Sequence, residues 1–196
     1  MNFLAHLHLA EPTPDSRLGN LLGDFVKGNP WDDRFSVPVW QGVMEHRYVD
    51  AFTDNHPVWQ KSRGLLPVEL RRFAGIIIDI FYDYFLSKHW ERFSGVSLEK
   101  AVDSIHRDLE SVLHQAPKEA RDVIEGMISE KWLLNYQTIL GIDETINRVS
   151  CRSEVLIPVW GACEIVIPHI GEMEAHFLEF YPALLAYLEE VRAVKF

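Results

Sequence analysis

Between Phe73 and Leu86 the chain reads FAGIIIDIFYDYFL, a run whose only charged residues are Asp79 and Asp83. Its apolar residues fall on every side of a helix, so the run predicts a helix buried nearly all round. The two carboxylates stand at i and i+4 and share one face of that helix. A buried carboxylate is costly unless it is paired or bound to metal, and two together repel each other. Two resolutions compete. One is a divalent cation that satisfies both; the other is an Arg or a helix N-terminus brought to each Asp from elsewhere.

The punctuation of the rest is helical as well. Ser16 precedes Leu18, Leu21, Leu22 and Phe25, a stripe that stops at Lys27-Gly28-Asn29-Pro30. A helix is expected from Val37 to about Asn55, ending before Pro57. Pro67 opens a long helix to about Phe93, and Ser97 with Lys100 starts another that Pro117 closes. Ala120 to Leu140 holds one or two more, with Gly141 as the stop, and Glu144 to Val149 a short one. Ile157 to Tyr181 reads as mostly helical, with Pro168 starting, kinking or dividing it, and Pro182 opens the last helix to Val194. No alternating run with hairpin turns is present. The expectation is an all-α fold of about eight helices around one core. Its 196 residues form a single domain, 1–196, large enough to bury a core without disulfide or metal staples.

Composition excludes several classes. At 47% hydrophobic and 12% aromatic residues the chain is too apolar for disorder. A spanning helix needs about 20 apolar residues, and the best candidate, Phe73 to Leu86, carries two acids, so no membrane span is expected. MNFLAHLHLAEP lacks a basic region ahead of its apolar residues, unlike a secretory signal. Cys151 and Cys163 lack a CxxC and read as reduced thiols of a cytoplasmic protein. Nineteen basic residues against 29 acidic give a net charge of −10, which disfavours nucleic-acid binding. The imbalance lies mostly in residues 101–196, with 8 basic against 16 acidic residues. The first hundred residues are closer to neutral, and their surface can still attract an acidic partner.

Three further constellations carry polar groups at meaningful spacing. His46, Asp50 and Asp54 step by four along one helix, either as ligands and their supporting groups or as a solvated face. Asn20 and Asp24 are again i and i+4, between Gly19 and Gly23, which weaken a helix by about 1 kcal/mol each. Such glycines make sense where another backbone or a ligand comes close; an ordinary loose helix is the alternative. His6 and His8 alternate with leucines and face one way if extended, but diverge in a helix. Taken alone, they read first as core histidines satisfied by carbonyls. Mixed Asp/His ligands from several helices suit Mn²⁺, Mg²⁺ or Fe²⁺ more than a structural zinc. Such a cation suits phosphate-ester hydrolysis. No P-loop, dinucleotide glycine motif or GxSxG elbow is present.

MNFLAHLHLA, GNLLGDFVKGNP, HRYVDAFTDNHP, the run from Asp79 to Trp90 and HFLEFYP (His176 to Pro182) together resemble the acyl-carrier-protein phosphodiesterases of Gram-negative bacteria. The resemblance spans essentially the whole chain in order, although residues 95–170 match loosely. It implies an all-α, HD-domain-like phosphohydrolase that needs a divalent metal, most often Mn²⁺. The implied reaction hydrolyses the phosphodiester between 4′-phosphopantetheine and a serine of holo-acyl-carrier protein. The adjacent His-Asp pair that names HD proteins is missing, and His46-x-x-x-Asp50 is the nearest equivalent. The family's own motifs imply Asp24, His46, Asp50 and Asp79 as metal ligands. They leave His6, Asn20, Asp54 and Asp83 as acid–base or water-orienting groups, and Arg47 as a holder of the substrate phosphate. Arg63, Arg71 and Arg72 are expected to meet the acidic carrier protein. Two rival functions remain at this point: hydrolysis of a nucleotide or other small phosphodiester, and a non-catalytic helical module that binds the carrier.

Overall fold

The apolar run around Asp79 becomes α5, Ala74–Lys88, and Ile77, Ile78, Phe81, Tyr82, Phe85 and Leu86 lie fully buried along it. The computed structural model describes residues 1–28 and 34–195, and every regular element among them is helical. Ahead of α5 come α1, Phe3–Leu9; α2, Pro14–Leu22; α3, Val37–Asn55; and α4, Pro57–Gly64. Behind it come α6, Trp90–Phe93; α7, Leu98–Val112; α8, Lys118–Ser129; α9, Trp132–Asn135; and α10, Ile139–Ser150. The chain closes with α11, Ala162–Val166, and α12, Ile170–Lys195. Short 3₁₀ turns at Val68–Phe73, Leu113–Gln115, Glu154–Val159 and Ile167–His169 join them. One apolar cluster runs from Met1 to Leu188, with α1, α4, α10 and α12 all packed on α5.

Several boundaries fall where local chemistry puts them. Ser36 precedes α3, Pro38 sits in its first turn, and His56 ends it in extended backbone. The Ser97 hydroxyl accepts from the Lys100 N–H and caps α7. Others differ from expectation. Thr13, not Ser16, caps α2, because Pro14 fits the first turn and the Thr13 hydroxyl accepts from the Ser16 N–H. The helix stops at Leu22, and the expected stop at Pro30 lies outside the described residues. The helix expected from Pro67 to Phe93 is three pieces: a 3₁₀ turn, α5, and α6 beyond a break at His89.

Gly141 and Pro182 are not boundaries. Thr138 caps α10 through the Gly141 N–H, and a Cβ at 141 would lie 2.0 Å from the Asn135 carbonyl oxygen. The glycine therefore lets α10 pass close to α9. Pro182 lies inside α12, where an interior proline costs about 3 kcal/mol. The same stretch buries Phe177, Phe180, Tyr181, Leu184 and Leu188, each contributing about 1.5–3 kcal/mol, so packing outweighs the lost hydrogen bond. By length and composition alone, the helical stretch Glu154–Val194 could cross a membrane, which the charge-interrupted run at α5 had not suggested.

α2 and α3 cross backbone to backbone. A Cβ on Gly19 would lie 2.2 Å from the Val39 carbonyl oxygen, and one on Gly42 would lie 2.7 Å from that of Ser16. Two backbones thus meet where the sequence offered glycine, and this sets the end of α2 against the middle of α3.

Candidate metal centre

His6 comes from α1, and His46 and Asp50 from one face of α3. Because the MNFLAHLHLA segment is helical, its two histidines diverge. His8 bonds the Tyr181 hydroxyl at 2.7 Å and the Phe93 carbonyl at 3.2 Å, away from the centre. The His6 ring stacks on His46 with centroids 3.9 Å apart and an interplanar angle of 14°. Nε2 of His6 lies 3.2 Å from Oδ1 of Asp50, and Nε2 of His46 lies 3.0 Å from Oδ2. One atom from each of the three residues falls within 4.8 Å of the others, a spacing that can hold a metal ion.

Local structure fixes the His46 ring. Its Nδ1 donates to the Asn20 carbonyl at 2.7 Å, which aims Nε2 at the carboxylates. A Cβ on residue 23 would sit 2.2 Å from His46 Cγ, so only glycine leaves room for the ring. The Asn20 side chain itself points the other way, to Ser16 O at 3.1 Å and to the buried Glu45 at 3.0 Å. Asn20 therefore acts on the centre through its backbone. Glu45 in turn pairs with Arg192 near the end of α12.

Asp24 lies just beyond α2, its Oδ1 3.6 Å from His46 Nε2. Asp79 Oδ2 and Asp50 Oδ1 lie 3.1 Å and 3.4 Å from the Met1 ammonium, which stands between them. Asp24, Asp50, Asp54 and Asp79 all line one cavity of about 420 Å³. Phe3, Ile76, Ile80, Val149, Leu156 and Arg152 complete most of its wall. His6 and His46 are buried and reach this cavity through Asp50.

Charges at the centre are strongly coupled. Burial works against a charge on His46, but Asp24 and Asp50 overcome it and raise the imidazolium to about 9. Burial and the neighbouring His46 charge lower His6 to about 4, so His6 is neutral at pH 7. Asp50 is opposed by burial yet held far below the ordinary carboxylate range by His46, His6 and the Met1 ammonium. Burial raises Asp79 in spite of that ammonium. The ammonium, opposed by its own burial, is raised to about 11 by Asp79 and Asp50. The raised His46 and Met1 ammonium answer the neighbouring carboxylates, whereas His6 is governed by burial and the His46 charge. Two buried atoms here, His6 Nδ1 and Asp79 Oδ1, have no hydrogen-bond partner among the described residues. Two imidazoles, surplus carboxylates and orphaned acceptor atoms fit a divalent cation.

The structure separates the two aspartates of α5. Asp79 enters the cavity. Asp83 is fully buried and accepts from the Leu4 N–H at 2.8 Å and the Ala5 N–H at 3.0 Å. It caps α1, whose own N-cap residue Asn2 offers no side-chain bond. Burial raises its carboxyl to about 8, held back by those two N–H groups. Of the expected arginines, Arg47 donates to Val26 O at 2.7 Å and Gly28 O at 3.0 Å. Arg71 donates to Leu66 O at 3.1 Å, and Arg72 lies over the Phe73 ring at 4.4 Å. Arg63 is exposed on the last turn of α4. None of the four lines the cavity, although the turn bearing Arg71 and Arg72 runs straight into its Gly75 and Ile76. Arg152 does line it, and no periodicity or motif singles that residue out.

Comparison with known proteins gives a consistent answer. The profile of the acyl carrier protein phosphodiesterase family matches residues 1–184. The acyl carrier protein phosphodiesterase of Photorhabdus laumondii is 34% identical over 190 residues, covering 96% of this chain and 96% of that protein. That of Enterobacter sp. strain 638 is 34% identical over 186 residues, covering 94% and 96%. That of Escherichia coli O157:H7 is 35% identical over 187 residues, covering 95% and 96%. No solved structure matches the chain. The centre described above therefore sits in a member of a known enzyme family: this chain belongs to the acyl carrier protein phosphodiesterases.

Proposed function

We infer that this chain is an acyl carrier protein phosphodiesterase, which hydrolyses the bond between 4′-phosphopantetheine and a serine of holo-acyl-carrier protein. The products are apo-carrier and free phosphopantetheine. The observation that carries the reading is the His6–His46–Asp50 group beneath a carboxylate-lined cavity, in a chain with this family's profile over residues 1–184. His6, His46 and Asp50 would hold a divalent cation, with Mn²⁺ the expected ion and Asp24 and Asp79 flanking it. Bound there, such an ion polarises a phosphoryl oxygen and lowers the pKa of water. The chain's own groups do the rest. The Asn20 carbonyl holds the His46 ring in orientation. Asp54, exposed at the cavity, is free to orient water or carry a proton to the leaving serine oxygen. The HD-domain likeness belongs to the same proposal, as does a cytoplasmic location alongside the carrier.

Mass spectrometry of holo-carrier after incubation with the protein and Mn²⁺ tests the reading. The carrier should lose the mass of one phosphopantetheine, and should keep it when a chelator is present. An unchanged carrier, with a nucleotide or other small diester hydrolysed instead, would overturn the substrate assignment.

A further inference from the structure

Arg152 follows the last turn of α10 and is exposed. Among the described residues it is the only lysine or arginine lining the cavity that holds Asp24, Asp50, Asp54 and Asp79. No hydrogen bond or ion pair occupies its guanidinium among the described residues, whereas Arg47 is spent on two backbone carbonyls. A phosphodiester is an anion, and four carboxylates repel it. The cation proposed at His6, His46 and Asp50 offsets part of that repulsion, and the Met1 ammonium is already engaged by Asp50 and Asp79. A further positive group on the cavity wall, free of those carboxylates, would offset more and would fix the orientation of the diester. A guanidinium suits the task, because it stays charged and its fork matches two phosphoryl oxygens at once. Val149 and Leu156 line the cavity with it and give that wall an apolar surface beside the guanidinium.

We propose that Arg152 binds the non-bridging phosphoryl oxygens of the substrate diester in this cavity. The inference rests on the phosphodiesterase reading and adds to it the residue that holds the phosphate. Arg47, the motif-based candidate, serves instead to tie α3 to the Val26–Gly28 turn.

The test uses the full-length, Mn²⁺-loaded protein with Arg152→Ala and Arg152→Lys. Three quantities are read: kcat and KM on holo-carrier, the affinity for inorganic phosphate by calorimetry, and Tm. Arg152→Ala should lower kcat/KM by about 10- to 100-fold, the usual weight of a charge-assisted hydrogen bond. Its phosphate affinity should fall about tenfold or more. Tm should change little, since the guanidinium makes no hydrogen bond or ion pair among the described residues. Arg152→Lys should keep part of the activity, and added guanidinium ion should restore part of it to Arg152→Ala, which a structural role would not allow. Phosphate affinity and kcat/KM both within about threefold of wild type would overturn the proposal. So would a wild-type protein that takes up no phosphate. If wild type binds phosphate through Arg152 but leaves holo-carrier intact, the carrier reading falls and the phosphate site stands.

Discussion

Gly23 shows at the residue scale how a weak helix former serves the centre. Its missing Cβ is the space occupied by the His46 ring, with Cγ 2.2 Å from where that atom would be. Gly23→Ala should push the imidazole off its bond to the Asn20 carbonyl. We expect Mn²⁺ affinity to fall by at least about tenfold, with a stability loss of about 1–3 kcal/mol from overpacking. Calorimetric Mn²⁺ titration beside a denaturant melt checks both; an unchanged affinity would mean that the ring position does not matter. Asp83 makes the opposite case. Asp83→Ala strands the Leu4 and Ala5 N–H groups in the core and should cost about 2–4 kcal/mol in urea unfolding. Asp79→Ala should abolish turnover and lower the metal-free melting temperature, because it takes from the buried Met1 ammonium the carboxylate 3.1 Å away. The spacing of Asp79 and Asp83 gave their shared helix face correctly, but not their separate tasks. What separates them is a backbone terminus 79 residues away in sequence from Asp83, and no local pattern records such a partner.

At the scale of elements, the centre depends on one crossing. α2 and α3 approach at Gly19 and Gly42, and the chain leaving α2 then carries Asp24 to within 3.6 Å of His46. Gly19→Ala would set a Cβ against the Val39 backbone, which cannot rotate away. Stability should fall by about 3 kcal/mol, and Mn²⁺ affinity should fall with it, because the two helices must separate. A variant as stable as wild type by thermal melt would contradict this account of the crossing. Gly19 was visible in the sequence as a place for close approach, though Gly42 opposite it was not, and α3 was visible as a helix from Val37 to Asn55. Gly141 and Pro182 were misleading for a common reason. Each lies inside a helix that tertiary packing sustains, against Asn135 in one case and through the buried Phe177–Leu188 face in the other. Punctuation reports local preference, which a well-packed core overrides.

For the whole molecule the governing fact is the charge gathered at one cavity, where four carboxylates face the Met1 ammonium and His46. Folding raises His46 from 6.5 to about 9, so the metal-free fold binds that proton more tightly than the unfolded chain. The resulting stabilisation is complete below about pH 6.5 and is lost as the pH rises through about 9. Asp50 contributes in the other direction: its depressed carboxyl stabilises the fold above the ordinary carboxylate range and ceases to do so in acid. His6, lowered to about 4, adds a cost as pH falls below 6.5. Metal-free protein should therefore melt at lower temperature at pH 9.5 than at pH 7, and Mn²⁺ should remove most of that difference. Since His46 must lose its proton to bind metal, Mn²⁺ uptake at pH 7 should release protons, visible as a buffer-dependent binding enthalpy. A melt that does not vary with pH in this window would contradict the charge assignment. The net charge of −10 and its concentration in the second half were legible from composition, whereas the meeting of His6 with His46 depended on three helices packing together.

The central claim is that His6, His46 and Asp50 hold the cation on which hydrolysis depends. Counting Mn²⁺ bound to wild type and to His46→Ala by electron paramagnetic resonance tests it most directly, with circular dichroism confirming that both are folded. Wild type should bind Mn²⁺ with micromolar or tighter affinity, and folded His46→Ala should leave the ion free in solution. A folded His46→Ala that binds Mn²⁺ as wild type does would contradict the account.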